Sequence, residues 1–251
     1  MSILFIADLH LSEKDPTITA RFLHFLREQA SQAKALYILG DFFDYWIGDD
    51  DCNILYKYIA KELKKLQSKG VVCYFIHGNR DFLVGKKFAQ ESGIILLSSE
   101  KKLTIHGHDI LILHGDTLCT DDITYQIYRK RVHHQWLQRL FLSLPLSIRH
   151  FIVKKISKKS HSYSKLFSKC TIDVNTQTVI EKFQKYKVDW MIHGHTHRSF
   201  VYEINLNGKI LHRAVLGSWH KKGSVIKITH NNIELINFFF INIFYPILMT
   251  R

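Results

Sequence analysis

Short apolar runs at residues 3–7, 35–39, 71–76, 110–113 and 188–192 set the rhythm of the first four-fifths of the chain. They are dense in Ile, Val, Leu and aromatic residues and too short for helices, so they predict buried strands. Between the first two runs, Asp15-Pro16 marks a helix start, with Pro tolerated in the first turn. Ile18, Phe22, Phe25 and Leu26 then line one helical face. Residues 53–70 predict a second helix, stopped by Gly70. Strand–helix alternation predicts an α/β protein with a largely parallel sheet and helices outside. Beyond residue 197 the pattern turns to short strands at 200–205, 210–214, 224–229 and 232–238, with Asn207-Gly208 favouring a hairpin. With 251 residues and no repeat or Pro/Gly-rich linker, the expectation is a single domain spanning 1–251.

Each of the five runs is followed at once by polar residues of one kind. These are Asp8-Leu9-His10, Gly40-Asp41, Gly78-Asn79-Arg80-Asp81, His114-Gly115-Asp116 and Gly194-His195-Thr196-His197. Strand ends are where open α/β sheets collect ligands. The donors Asp8, His10, Asp41, Asn79, His114, His195 and His197 therefore predict a two-metal site. A metal pair ~3.5–4 Å apart needs one ligand that reaches both, a task for a carboxylate, and Asp41 is the natural bridge. Mixed imidazole and carboxylate donors suit Mn(II), Fe(II) or Zn(II), and the absence of cysteine argues against structural zinc. Such a pair makes a hydroxide from water near neutral pH and directs it in line at phosphorus. Asp44, Asp81 and Asp116 are expected to orient ligand imidazoles or cap turns. His106 and His108 flank a hairpin turn at Gly107 and are expected in solvent; His77 reads as packing, and His133-His134 as part of a helix face.

Charge changes the picture in one place. The chain has 35 Lys and Arg against 22 Asp and Glu, a formal +13. Residues 123–172 hold 11 of those bases and no acid, so the remainder carries 24 against 22. The same segment is rich in apolar residues, among them Trp136, Leu140, Phe141, Phe151 and Ile156, with Pro145 between two helical stretches. It predicts a helical cap, 123–172, inserted over the site. Three readings of such a segment differ in partner. A solvated helix pair packing its stripe on the core is the plainest. Nucleic-acid binding lacks a motif and is set aside. A cap facing an anionic membrane surface is favoured, since bases meet acidic head groups and apolar residues meet acyl chains. No stretch approaches the ~20 apolar residues of a spanning helix. The apolar tail 239–251, interrupted by Asn242, reads either as a strand or docking segment or as a surface anchor. Cys52, Cys73, Cys119 and Cys170 are scattered and read as reduced thiols. Met1-Ser2-Ile3 runs straight into the first strand, which leaves no removable signal and predicts a cytoplasmic protein.

Taken in order, Asp8-x-His10, Gly40-Asp41-x-x-Asp44, Gly78-Asn79-x-Asp81, His114-Gly-Asp116 and Gly194-His-Thr-His197 resemble the calcineurin-like metallophosphoesterases. The resemblance runs from Ile3 to about Phe238. It implies a sandwich of two sheets flanked by helices. It assigns Asp8, His10, Asp41 and His197 to one metal and Asp41, Asn79, His114 and His195 to the other, with two Mn(II) per subunit. Where many members carry a catalytic His after Gly-Asn, this chain has Arg80. Four longer segments, at 37–44, 46–51, 75–83 and 114–122, resemble members that cleave the pyrophosphate of a lipid-linked nucleotide sugar at its α-phosphorus. That likeness implies catalytic roles for Asp41, Asn79, Arg80, His114 and His195, with Arg80 and His195 neutralising phosphate charge. It implies substrate contacts from Asn79, Arg80, Asp122, Ser160, Ser164, Phe167 and His195, although Phe167 stands where a Lys is expected. It further implies a peripheral protein on the cytoplasmic face of the inner membrane, with no nucleic acid and no obligate protein partner. A soluble dimetal phosphodiesterase or nucleotide pyrophosphatase, and a metal-free binding scaffold, are the alternatives.

Overall fold

The computed structural model of the chain describes residues 2–167, 173–220 and 222–239, with side chains except at 157–167 and 239. Two sheets face each other. The first runs in the order β11 (Ile233–Phe239), β10 (Lys222–Ile228), β1 (Ile3–Ile6), β2 (Ala35–Ile38), β3 (Val72–Phe75), β4 (Ile95–Leu96). The second runs β5 (Glu100–Ile105), β6 (His108–Leu113), β7 (Trp190–His193), β9 (Lys209–Val215), β8 (Phe200–Leu206). Residues along the central strands alternate between two apolar layers. Phe5, Ile110, Ile112, Ile192 and Ile226 pack between the sheets. Leu4, Ile6, Leu36 and Ile38 face outward onto α1 (Pro16–Glu28) and α2 (Ile54–Ser68), beside α3 (Lys86–Ser92). Leu111, Leu113 and Met191 face α7 (Thr176–Tyr186) on the other side. Burial on both faces is why these strands appear as unbroken apolar runs.

Both helix starts fall where the sequence places them: Asp15 accepts from the Ile18 N–H at 3.4 Å, and Asn53 from those of Leu55 and Tyr56 at 2.9 and 3.3 Å. The largely parallel sheet is corrected to two mixed sheets. β1–β2–β3–β4 and β6–β7–β9 are parallel, but β5, β8, β10 and β11 pair antiparallel. Two-residue turns at His106-Gly107 and Asn207-Gly208, all at positive φ, can join only antiparallel neighbours. His106 and His108 are exposed there, as expected.

The described residues from 123 to 167 form three helices rather than two: α4 (Ile123–Val132), α5 (Gln135–Ser143) and α6 (Leu146–Phe167). The extra break falls at His133 and His134, which cap α4 and α5 at their junction instead of sharing a helix face. No side chain of α4 or α5 is buried. Ile123, Trp136 and Phe151 are 68%, 63% and 66% exposed, so these large apolar groups do not pack on the core. Two arginines are among the described contacts of these helices with the body. Arg149 of α6 is buried and donates to Asp50 and, at 2.7 Å, to the Ile47 carbonyl. Arg129 of α4 pairs with buried Asp116. No described helix is long and apolar enough to cross a membrane. Cys170 and the tail from Phe240 lie outside the described residues, as does the Phe239 side chain.

Candidate metal centre

The five polar segments converge at one edge of the sandwich. Asp8 and His10 follow β1, Asp41 follows β2 and Asn79 follows β3; His114 follows β6, and His195 and His197 follow β7. Backbone bonds lace these loops together: Asp8 N donates to Gly40 O at 3.1 Å, His10 N to Asp41 O at 2.9 Å and Gly194 N to His114 O at 2.8 Å. The loops turn sharply. Among the described residues eight non-glycines have positive φ, and Asp8, His10, Asp41, His195 and His197 are five of them. A left-handed residue costs roughly 1–2 kcal/mol, and such strain gathers at functional sites. Two glycines make the crowding possible: a Cβ on Gly78 would strike the Asp41 backbone and carboxylate, and one on Gly194 the carboxylate of Asp8.

The donor atoms fall into two groups. Asp8, His10 and His197 each offer an atom within 4.8 Å of the others, and so do Asp8, Asp41 and His114. His10 Nε2 and His197 Nε2 are 3.4 Å apart, and His197 Nε2 is 3.4 Å from Asp8 Oδ1. Asn79 Oδ1 lies 3.0 Å from both His114 Nε2 and His195 Nδ1. Although Asp8 belongs to both groups by distance, its Oδ2 is occupied by the His195 N–H at 2.8 Å. Asp41 instead turns Oδ2 toward His10 Nε2 at 3.9 Å and Oδ1 toward His114 Nε2 at 3.7 Å, the posture of a bridge.

This donor set fits a pair of divalent cations. His114 Nδ1 lies 2.8 Å from the Leu39 carbonyl, so it must donate there, which leaves Nε2 as the ring atom facing the centre, free to offer a lone pair once a cation displaces its proton. Asp8 Oδ1 is buried without a hydrogen-bond partner, a costly state that a cation relieves. Burial pushes Asp41 up to about 7 and holds His10 down near 3. Burial, with His114 nearby, likewise lowers His195 to about 4. His114 moves the other way, to about 9, because Asp41 and Asp8 together outweigh its own burial. Asp8 raises His197 against its own burial as well, so His10 and His195 are held neutral while His114 and His197 take up a proton more readily beside the buried carboxylates.

Of the two roles expected for Asp44, Asp81 and Asp116, orienting imidazoles or capping turns, Asp81 takes the second. Asp81 accepts from the backbone N–H groups of Asp41 at 3.3 Å, Phe42 at 2.7 Å and Gly78 at 2.8 Å, tying two ligand loops together. Asp44 accepts from Arg80 Nη1 at 2.7 Å, and Asp116 from Tyr125 Oη at 2.8 Å. Arg80 stands at the rim, one-third exposed, with Nε 3.7 Å from Asp41 Oδ2. Asp122 caps α4, accepting from Tyr125 N at 2.9 Å. The side chains of Ser160, Ser164 and Phe167 lie outside the described residues. His77 Nε2 bonds the Val84 carbonyl at 2.7 Å and joins no donor group. Two neighbours carried no sequence signal. Tyr125 places its ring 6.1 Å from His195, and His220 stacks 6.3 Å from His10. Each is brought in by packing of a distant segment.

A family model described as calcineurin-like phosphoesterase matches residues 1–199. The chain is 62% identical over 238 residues to a protein of Photorhabdus laumondii named UDP-2,3-diacylglucosamine hydrolase, covering 95% of this chain and 99% of that one. Proteins of the same name from Proteus mirabilis and Salmonella arizonae are 59% and 54% identical, with the same coverage. The matched span takes in all seven donors, on the strand ends where two facing sheets hold them together, and the chain belongs to the calcineurin-like phosphoesterase family.

Proposed function

We propose that the chain hydrolyses the pyrophosphate bond of UDP-2,3-diacylglucosamine at the α-phosphorus, giving UMP and 2,3-diacylglucosamine 1-phosphate in lipid A biosynthesis. Near identity in length with relatives named for that substrate, at 62% identity, carries the reading. Asp8, His10, Asp41 and His197 would hold one Mn(II), and Asp41, Asn79, His114 and His195 a second. Bound there, the pair supplies an activated water and Lewis-acid charge neutralisation for displacement at phosphorus. The chain's own part is orientation. Asp81 fixes the Asp41 and Asn79 loops through their backbones, and Asp44 aims the Arg80 guanidinium at the rim, where phosphate oxygens would sit. His195 adds a donor surface beside them, and Asp122, Ser160, Ser164 and Phe167 are assigned to the remaining substrate contacts. Incubating the protein with Mn(II) and the lipid substrate in ¹⁸O-water is expected to release UMP carrying the label. Label in the sugar phosphate, or no UMP at all, would overturn the assignment.

The exposed apolar and basic cap beside the centre favours a lipid substrate over a soluble nucleotide, and a peripheral position on the cytoplasmic face of the inner membrane. Near an anionic surface each Lys or Arg contributes about 1 kcal/mol. Replacing Lys154, Lys155, Lys158 and Lys159 with Gln should therefore release the protein from anionic vesicles in sedimentation. The difference should shrink as salt shortens the Debye length below ~8 Å. Hydrolysis of a water-soluble pyrophosphate analogue should hardly change. Vesicle binding equal to the parent's would make the cap a purely solvated one.

A further inference from the structure

We propose that His193, Arg213, Asp173 and Arg198 form a clamp that positions His195 and His197 for metal. None of the four is a metal donor. His193 ends β7, directly before the ligand loop, and is fully buried. Its Nδ1 lies 2.8 Å from the Gly194 carbonyl, which can only accept, and its Nε2 lies 3.3 Å from Arg213 Nη1, which can only donate. The two contacts together fix one tautomer: Nδ1 carries the proton and Nε2 the lone pair. The Gly194 oxygen also accepts from Thr196 N at 2.9 Å, so the imidazole grips the atom around which the loop turns. Gly115 leaves room for this ring, since a Cβ there would sit 2.7 Å from His193 Nδ1.

The far end of the loop is held by the same network. Arg198, immediately after His197, donates from Nη1 to Asp173 Oδ2 at 2.9 Å. The other oxygen, Asp173 Oδ1, stands 4.0 Å from Arg213 Nη1. Arg213 is itself nearly buried and stacks its guanidinium 4.1 Å over the Tyr202 ring. A ring of side chains thus closes from residue 193 through Arg213 and Asp173 to residue 198. Inside it lie His195 and His197, at φ 70° and 57°. Two strained residues that must each present a nitrogen to a different metal need both ends of their loop fixed. The clamp does that without lending a donor atom. Its anchors come from β9 and from the point where the chain leaves the cap segment.

The inference rests on the dimetal reading but not on the substrate, so Mn(II) binding is measured without substrate, by electron paramagnetic resonance of the free ion. Asp173 and Arg198 are partly exposed, and Asp173→Asn and Arg198→Gln should fold with melting temperatures of the metal-free protein near the parent's. Loss of groups that orient metal ligands typically weakens metal affinity 10–100-fold, and that is the expected result for both. At the buried position, His193→Asn keeps an N–H for the Gly194 carbonyl, whereas His193→Phe fills the space better but donates nothing. Asn should therefore bind Mn(II) more tightly than Phe although Phe melts higher, an inversion that a packing role would not produce. A parent that binds two Mn(II) with Asp173→Asn and Arg198→Gln indistinguishable from it would overturn the clamp, as would Phe binding as tightly as Asn. A parent that takes up no divalent metal would overturn the dimetal reading and the clamp with it.

Discussion

Asp41→Asn is expected to end hydrolysis while leaving the metal-free protein at least as stable as the parent. The amide keeps the shape and an oxygen to accept the Arg80 N–H, a bond of 2.9 Å in the parent. Asn also tolerates the left-handed backbone at this position, φ 49°, better than Ala would. What it loses is the charge that lets one side chain serve two cations. Bridging of this kind supplies several kcal/mol of charge stabilisation at the displacement, so activity should fall on the order of 10³-fold or more. Stability should move the other way. Burial raises the Asp41 carboxyl from its ordinary 3.8 to about 7. A carboxyl whose folded pKa is raised binds its proton more tightly in the folded chain. Its stability contribution is therefore complete below the ordinary value and is lost as pH rises toward the folded one. Above that window the metal-free parent carries a destabilising buried charge that Asn lacks. Melting curves at pH 8 in chelator should show the variant equal or higher, with the difference fading toward pH 4. Parental turnover in Asp41→Asn would remove the bridge from the assignment.

Arg80→Ala should separate chemistry from metal binding. The guanidinium offers nitrogen donors and no lone pair, so it is no metal ligand. It is aimed by Asp44 at 2.7 Å and stands 3.7 Å from Asp41 at the rim. Removing a preorganised donor that meets charge only as it develops costs about 10²–10³-fold in kcat. Mn(II) content should stay at the parental level, and since the ion pair with Asp44 is partly exposed, little stability should be lost. Arg80→Lys should recover only part of the rate, because an ammonium lacks the planar fork that meets two phosphate oxygens at once. Collapse of metal content in the alanine variant would make Arg80 structural.

The residues that meet at the candidate centre are legible because each follows its strand within a few residues, so a local pattern of apolar run and polar end marks where they gather. The same locality made Asp15, Asn53 and the Asn207-Gly208 turn readable. What stayed hidden is held by contacts across long stretches of chain. Asp81 works on the backbone of residues 41–43, about forty positions earlier, and nothing in a motif distinguishes a carboxylate that accepts N–H groups from one that meets imidazoles. Arg213 lies in the middle of a strand that reads as ordinary sandwich, and Asp173 at the end of a basic segment whose composition drew notice to membranes instead. Of the antiparallel pairs, β5–β6 and β8–β9 are announced by their Gly-containing turns, whereas β10 returns to β1 from the far end of the chain. The break at His133-His134 was missed because neither Pro nor Gly marks it.

The left-handed backbone at five candidate donor positions has a consequence for how such a chain can change over generations. Were selection for hydrolysis relaxed, those sites would not drift freely, since β-branched and bulky residues are penalised there whatever the metals do. Replacements would collect among Asn, Asp, Gly and His. A descendant that had lost its chemistry would thus keep an outline of the old site, and Asn or Gly standing at such positions in a distant homologue would mark retired catalysis rather than a scaffold that never had any.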